Sequence, residues 1–200
     1  MFRLTRRSFS LSLAAVTGAA LVPAQLLALT QSSAKKLIDD LVADINKVIA
    51  SGKSETSMYK DFERIFARYS DTSYIAAYAM GVDGRRATSA QKKQFSKAFQ
   101  QYISRKYGKR FREFIGGRLE VTGVRKVKSW YEVSTLAHLR GEAPFEVTFH
   151  VSERTGKDLF FNMYIEGVNL LLTERTEIGA MLDRRKGDID KMIADLKRAG

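Results

Sequence analysis

The sequence predicts one α+β domain in which helices cover one face of a four-stranded antiparallel sheet. Apolar residues recur at helical spacing between residues 37 and 114, and the period then changes to two between residues 119 and 165. The alternating segments are joined by short polar turns, which is typical of an antiparallel meander. A length of 200 residues, 44% of them hydrophobic, fits a single globular domain.

Four helical segments are expected before the sheet. The first is amphipathic and stops at Ser51 and Gly52. Thr88 and Gln91 have the spacing of a capping box, which predicts the start of a long helix that ends at the glycines 116 and 117. The predicted segments are 37–50, 62–69, 74–80 and 88–115. The long helix has an apolar stripe of Phe95, Phe99, Tyr102, Ile103, Tyr107, Phe111 and Phe114.

Strands are predicted at 119–128, 130–139, 145–151 and 159–165. In the third strand Phe145 and Phe149 share one face with two valines, whereas His150 and its polar neighbours share the other, so one face of the sheet is expected to be wet. Two further helices are predicted at 170–185 and 188–198, and Asp188 is expected to cap the second. A strongly curved sheet and a long helix can together form a cone that leaves a cavity.

The N-terminus resembles an export signal. Arg3, Arg6 and Arg7 precede an uncharged run at residues 8–29, and small residues at 22–24 offer a cleavage site before Gln25. The run is too weakly apolar for a membrane span, which needs about 20 apolar residues. Paired arginines followed by Ser-Phe resemble the twin-arginine signal, although an ordinary signal with a basic start would look similar. We expect a twin-arginine signal peptide at residues 1–24, one mature domain at 25–200, and a periplasmic location.

The net charge of +12 is concentrated in one stretch. Residues 85–128 carry 14 Lys and Arg against 2 Asp and Glu, whereas residues 31–84 carry 7 against 8. Most of these cations lie on the predicted long helix, and the simplest expectation is that they form its solvent-exposed face. Nucleic acid would be the expected partner in the cytoplasm. With an export signal, phosphates of membrane lipids are the better expectation, and no nucleic acid is expected.

No catalytic signature is present in the sequence. The chain lacks cysteine, G-x-S-x-G, a Walker loop, G-x-G-x-x-G and H-E-x-x-H. His138 and His150 fall on predicted strands, where a partly exposed histidine is commoner than a catalytic base. An enzyme with a small cone-shaped fold could use Tyr131, His150 and Asp158 as catalytic residues, but the spacing of these residues does not predict such a site. We therefore expect no enzyme, no metal and no cofactor.

Two stretches of the sequence form a distinctive pair. The first is Tyr-Ala-Met-Gly at 78–81 with Arg-Arg-Ala-Thr at 85–88, followed by Gln91 and the apolar positions after it. The second is Ile-Glu-Gly-Val-Asn-Leu at 165–170 with Thr173 and Arg175, followed by Gly-Asp-Ile-Asp at 187–190. Together they resemble the MlaC family, the periplasmic phospholipid-binding component of an ABC-transport system that maintains outer-membrane lipid asymmetry. The sequence departs from the family pattern at Gly84, Asn169 and Ile178, where tryptophan, serine and phenylalanine are usual.

The resemblance implies a cone-shaped fold like that of nuclear transport factor two, with two acyl chains inserted between sheet and helices and the head group left near solvent. It implies a shuttle that works between an inner-membrane ABC transporter complex with a substrate-binding domain and an outer-membrane lipoprotein complex. We expect a monomer with bound phospholipid as cargo. A small periplasmic enzyme and an interaction module with a filled core are the alternatives.

Aromatic side chains are the candidates for the lipid site, because the predicted inward faces of the helices and the sheet carry many of them. Any single one of them would more often simply fill the core. The expected lipid-binding residues are Phe62, Phe66, Tyr74, Tyr78, Phe95, Phe99, Tyr102, Phe149, Phe161 and Met163.

Overall fold

A computed structural model describes residues 29–108 and 117–200. Within these ranges the chain forms six α-helices and a five-stranded antiparallel sheet in which each strand pairs with its neighbour in sequence. The elements are α1 Gln31–Ile49, α2 Glu55–Tyr69, α3 Thr72–Met80, a 3-10 turn Gly81–Arg85, α4 Ser89–Gly108, β1 Arg118–Val127, β2 Trp130–His138, β3 Phe145–Ser152, β4 Leu159–Ile165, β5 Val168–Asn169, α5 Leu170–Arg184 and α6 Ile189–Leu196.

The predicted α+β class is confirmed, and each predicted helix and strand has a counterpart. The sheet has one strand more than the four predicted, because the two-residue β5 pairs with the end of β4. Alternation over two residues is too short to signal a strand in sequence. The predicted signal peptide and the part of the long helix beyond Gly108, with Phe111 and Phe114, lie outside the described residues.

Side-chain caps mark the helix starts that the sequence predicts at Thr88 and Asp188. Thr88 Oγ1 accepts from the Gln91 backbone N–H at 3.1 Å, and the Gln91 side chain accepts from the Thr88 N–H at 3.0 Å, which completes a capping box on α4. Asp188 caps α6 by accepting from the Lys191 N–H at 3.0 Å. Both caps satisfy N–H groups that a helix leaves unpaired at its start.

Some helices pack directly on one face of the sheet, whereas the long α4 packs mainly against other helices. α1 packs across β1 and β2, and α5 packs on β4. The long α4 packs mainly against α2, α3 and α6. Along β2 the buried residues alternate with half-buried ones, as expected for a sheet with one covered face. No helix in the described ranges is long and apolar enough to cross a membrane.

The end of the sheet is shaped by a bulge and a tight turn. The β3–β4 register shifts between His150 and Val151, and Phe161 is the extra residue on β4. Glu166 and Gly167 then form the two-residue turn into β5, with φ of 49° and 79°. Positive φ at both positions is typical of a type I′ hairpin turn. This turn delivers the chain directly to the start of α5.

Candidate functional site

An apolar cavity of about 490 Å³ lies between the sheet and the helices. Its wall is contributed by α1, α2, α3, the C-terminal part of α4, the sheet and the start of α5. Exposed residues at the β2–β3 loop and the β4–β5 turn, Glu142, Ala143 and Glu166, also line it, so the cavity reaches the surface there. Volumes of about 300–1,000 Å³ are usual for small-molecule sites.

Five of the ten residues expected to bind lipid line this cavity: Phe62, Phe66, Phe149, Phe161 and Met163. Phe149 and Met163 are directly opposite each other on β3 and β4, and Phe149 is buried. The structure therefore brings together the candidates from α2 with those from the adjacent strands β3 and β4.

The other five candidates lie elsewhere. Phe95, Phe99 and Tyr102 are buried where α4 packs among other helices, and the rings of Phe95 and Phe99 stack at 5.5 Å. Tyr74 and Tyr78 lie on α3 with their rings 6.1 Å apart. Sequence periodicity identifies the buried face of α4, but it does not say whether that face meets the sheet or another helix.

Arginines cover the two α3 tyrosines. Arg154 lies 3.6 Å above the Tyr74 ring, and Arg175 lies 5.2 Å from the Tyr78 ring centre. Tyr74 also contacts Phe161 edge-on at 5.7 Å. Tyr74 therefore contacts a residue of the cavity wall, Phe161, but neither tyrosine lines the cavity itself.

Phe160 is a cavity residue that the sequence prediction missed. Its ring contacts Phe149 at 5.5 Å and Phe66 at 6.0 Å, which joins β4, β3 and α2. Strict alternation along β4 makes Phe161 and Met163 share a face, whereas the bulge changes the face before Met163. A bulge of this kind leaves no clear mark in a single sequence.

Asn162 is a second missed residue and joins the cavity wall to α5. It is 7% exposed, and its Oδ1 accepts from the backbone N–H groups of Met163 at 2.8 Å and Leu171 at 3.3 Å. A buried amide with satisfied oxygen contacts holds the start of α5 against β4. Its position in a strand gave no signal for this role.

A polar cluster on α4 and α5 adjoins the cavity. We call it the Lys106 cluster, because Lys106 Nζ lies 2.7 Å from Glu174 Oε1 and 2.7 Å from Glu177 Oε2. Tyr107 donates its hydroxyl hydrogen to Glu174 at 2.5 Å, and Tyr102 donates to Glu177 at 2.6 Å. Burial raises the pKa of Tyr102, and its bond to the Glu177 carboxylate raises it further.

Glu174 is the member of the Lys106 cluster that lines the cavity, and the sequence prediction missed it. Its side chain is 3% exposed. Oε1 takes both hydrogen bonds, whereas the buried Oε2 has no hydrogen-bond partner within the described part of the chain. A glutamate in a helix gives no sequence signal of burial, since most are solvated.

Glu177 lies in the same cluster but outside the cavity lining, and its side chain is 44% exposed. Burial alone would raise the pKa of its carboxyl. Hydrogen bonds from Lys106 and Tyr102 outweigh that effect, so the pKa lies below its ordinary value and the group is ionised at neutral pH.

The residues considered for an enzyme are not brought together. Tyr131 is opposite Val151, whereas His150 is opposite Glu132, so Tyr131 and His150 point to different faces of the sheet. His150 Nε2 lies 3.6 Å from Glu132 Oε1, and burial lowers the pKa of this histidine. Neither histidine lines the cavity. In the described ranges, no group of three or more acidic or histidine side chains is arranged to hold a metal ion.

A basic groove of about 740 Å³ runs between α3 and the first half of α4. Its cations are Arg85, Lys92, Lys93 and Lys97. Salt bridges on this part of the fold involve other residues, such as Arg86 with Asp83. Four cations without a carboxylate partner among the described residues form a surface that attracts anions.

The two stretches of the family resemblance meet in space. Arg175 on α5 packs over Tyr78 and against Gly81, where an added Cβ would lie 3.3 Å from the arginine Nε. Gln91 Nε2 donates to Asp190 Oδ2 at 3.0 Å. Asn169, which departs from the usual serine, caps α5 by accepting from the Leu172 N–H, and serine and asparagine are both good caps.

Comparison with known proteins agrees with this architecture. The solved phospholipid-binding protein from Ralstonia solanacearum, in complex with a phospholipid, superposes with a TM-score of 0.66 at 19% identity, covering 83% of this chain and 97% of that chain. The two proteins therefore share a fold. The family model described as MlaC protein matches residues 35–198. Because that match spans nearly all of the described residues, the chain belongs to the MlaC family.

Proposed function

We propose that this protein is a periplasmic carrier that binds a phospholipid and moves it between the outer and inner membranes, which maintains outer-membrane lipid asymmetry. The observation that carries the proposal is the apolar cavity of about 490 Å³ that reaches the surface at the β2–β3 loop and the β4–β5 turn. Membership of the MlaC family supports it. The phospholipid in the similar Ralstonia protein also supports it.

The energetics of such a carrier are nearly balanced. Removing acyl chains from water is favourable by about 0.8 kcal/mol per methylene. The two chains of a membrane lipid therefore contribute a gross transfer free energy of roughly 20 kcal/mol or more. A bilayer offers the same chains a similar gain. The cavity therefore prevents the lipid from meeting water during transit, and direction has to come from the proteins at each end.

The acyl chains would contact the apolar wall. Of the residues expected from sequence, Phe62, Phe66, Phe149, Phe161 and Met163 are proposed as direct contacts, because they line the cavity. Phe95, Phe99 and Tyr102 would then act through α4, by fixing its position against the neighbouring helices. Tyr74 and Tyr78 would act in the same indirect way through α3.

The proposed location and partners follow from the signal and the family. Residues 1–24 would direct export by the twin-arginine route, and residues 25–200 would be the phospholipid-binding domain. The partners would be an inner-membrane ABC transporter complex with a substrate-binding domain and an outer-membrane lipoprotein complex. The carrier would act as a monomer, without a cofactor.

The basic groove supports this role at a membrane surface. Its four cations would meet lipid phosphates while cargo is exchanged, and each cation close to an anionic surface contributes about 1 kcal/mol. Exposed charge is screened by salt, so the attraction would weaken as ionic strength rises.

The alternatives are less well supported by the site. An interaction module predicts a filled core, whereas the described part of the chain encloses a cavity. An enzyme on this fold would need a reactive histidine or carboxylate that faces the cavity. His150 lies among the rings of Trp130 and Tyr164 instead. The buried carboxylate on the cavity wall, Glu174, is held by Lys106 and Tyr107. We therefore propose a carrier without catalytic activity.

Mass spectrometry of an organic extract of the purified mature protein tests the proposal. A near-stoichiometric phospholipid is expected after expression in a bacterium. If extracts from repeated preparations contain no lipid, and vesicles do not load the protein, the carrier function is wrong and the fold serves another purpose.

A further inference from the structure

Exposed apolar side chains lie on both sides of the cavity mouth. The cavity reaches the surface at the β2–β3 loop and the β4–β5 turn. Ala143, in the loop, lines the cavity and is also exposed. Val168 follows the turn directly, and its side chain is 55% exposed. We call these two residues the mouth rim.

Val168 lies on the face of the sheet that carries the cavity. In the β4–β5 hairpin it is directly opposite Ile165. Residues that are opposite each other on neighbouring strands point to the same face of a sheet. Because Ile165 lines the cavity, Val168 continues the apolar wall beyond the lining and into solvent.

The cavity is small for the proposed cargo. Its volume of about 490 Å³ lies within the range of about 300–1,000 Å³ that is usual for drug-sized ligands. A membrane phospholipid with two long acyl chains is larger than such a ligand. If the chain ends lie deepest and the head group stays near solvent, the methylenes next to the glycerol are the ones left at the mouth. Contact with water is unfavourable for them, so an apolar surface at the mouth would stabilise the bound lipid.

We propose that the mouth rim extends the lipid site beyond the cavity and contacts the methylenes next to the glycerol. Only acyl chains that are too long for the cavity reach the rim. Val168 therefore determines how strongly long-chain lipids are retained relative to short-chain ones. This inference rests on the proposed carrier function, because it concerns the cargo of the same cavity.

Competition between two chain lengths tests the inference. Purified protein is incubated with a mixture of dioctanoyl- and dipalmitoyl-phosphatidylcholine, reisolated, and extracted for mass spectrometry. The measured quantity is the ratio of long-chain to short-chain lipid bound to a variant, divided by the same ratio for the unmodified protein. This quotient removes effects of the shared head group and of the lipid mixture itself. Total lipid phosphorus per protein reports on the carrier function separately.

Two matched variants make the test specific. Val168→Ser removes apolar surface from the rim without adding charge, so the long-to-short ratio should fall by roughly fivefold. Val82→Ser is the control, since Val82 is 56% exposed and lies outside the cavity lining, and it should leave the ratio unchanged. Both side chains are exposed, so both variants should fold, which circular dichroism checks.

An unchanged ratio in folded Val168→Ser would overturn the inference, and so would an equal fall in Val82→Ser. A second measurement uses the unmodified protein and does not depend on any variant. A lipid with a photoreactive diazirine near the glycerol end of one acyl chain should label a peptide that contains Ala143 or Val168. Labelling without either residue would also overturn the inference. A protein that takes up neither lipid would instead refute the carrier function.

Discussion

Placing a carboxylate on the cavity wall should remove bound lipid. Phe149 is 3% exposed, lines the cavity, and packs edge-on against Phe160 at 5.5 Å. In Phe149→Glu the new carboxylate can stay hydrated while the cavity is empty, because the cavity reaches the surface and can hold water. Acyl chains would strip that water, at an effective cost of several kcal/mol for one ion.

The size of the effect follows from that cost. At about 1.4 kcal/mol for each factor of ten, several kcal/mol weakens lipid retention by at least about a hundredfold. The assay is lipid phosphorus per protein after gel filtration, together with circular dichroism to show that the variant is folded. Phe149→Leu is the matched control, since it keeps the wall apolar and should keep most of the lipid.

Phe99→Glu provides the contrast. Phe99 is 1% exposed between Phe95 and Tyr102 and does not line the cavity. Losing a buried phenylalanine costs about 3–5 kcal/mol, and an unpaired buried charge adds several more, which approaches the whole stability of a domain. This variant should lose its fold. A folded Phe149→Glu protein with a normal lipid load would refute the reasoning.

Three other predictions concern regions away from the cavity wall. Replacing Arg6 and Arg7 by lysine should trap the chain in the cytoplasm, as read by fractionation, whereas an undiminished periplasmic yield would indicate the general export route. Replacing the four cations of the basic groove by glutamine should lower co-sedimentation with anionic vesicles. Raising the salt concentration should lower vesicle binding of the unmodified protein in the same way. Equal binding by the variant and the unmodified protein would show that the groove does not contact the membrane. The Arg185 guanidinium, 2.8 Å away, and other hydrogen bonds hold the pKa of Asp195 at about 2, below the ordinary 3.8. The stability that this ion pair contributes is therefore present above pH 3.8 and lost as pH falls through 2. We expect Asp195→Asn to lower Tm at pH 6, and the Tm difference from the unmodified protein to shrink between pH 4 and 2. A Tm difference that does not depend on pH would contradict this assignment.

The element order could be predicted because its signals are local. Thr88 with Gln91 formed the expected capping box, and Asp188 formed the expected cap of α6. The change of period near residue 117 correctly separated the helical part from the sheet. Each of these signals depends on residues a few positions apart, so one sequence is enough to show them.

The composition of the cavity wall could be predicted only in part. Phe149 and Met163 were found because alternation places each on one face of a strand. Phe160 was missed because the bulge at Phe161 breaks that alternation. Phe95 and Phe99 were correctly expected to be buried, but their neighbours are helices, and an apolar stripe does not state which surface it meets.

The sequence by itself determined the fold class, the starts of α4 and α6, and the family resemblance of two stretches. Only the tertiary structure decided that α4 lies among α2, α3 and α6, that the cavity forms beside it, and that the buried Glu174 lines that cavity. The physical reason is distance along the chain. Caps and periodicities act within a few residues, whereas Lys106 and Glu174 are 68 positions apart and meet only when α4 and α5 have packed.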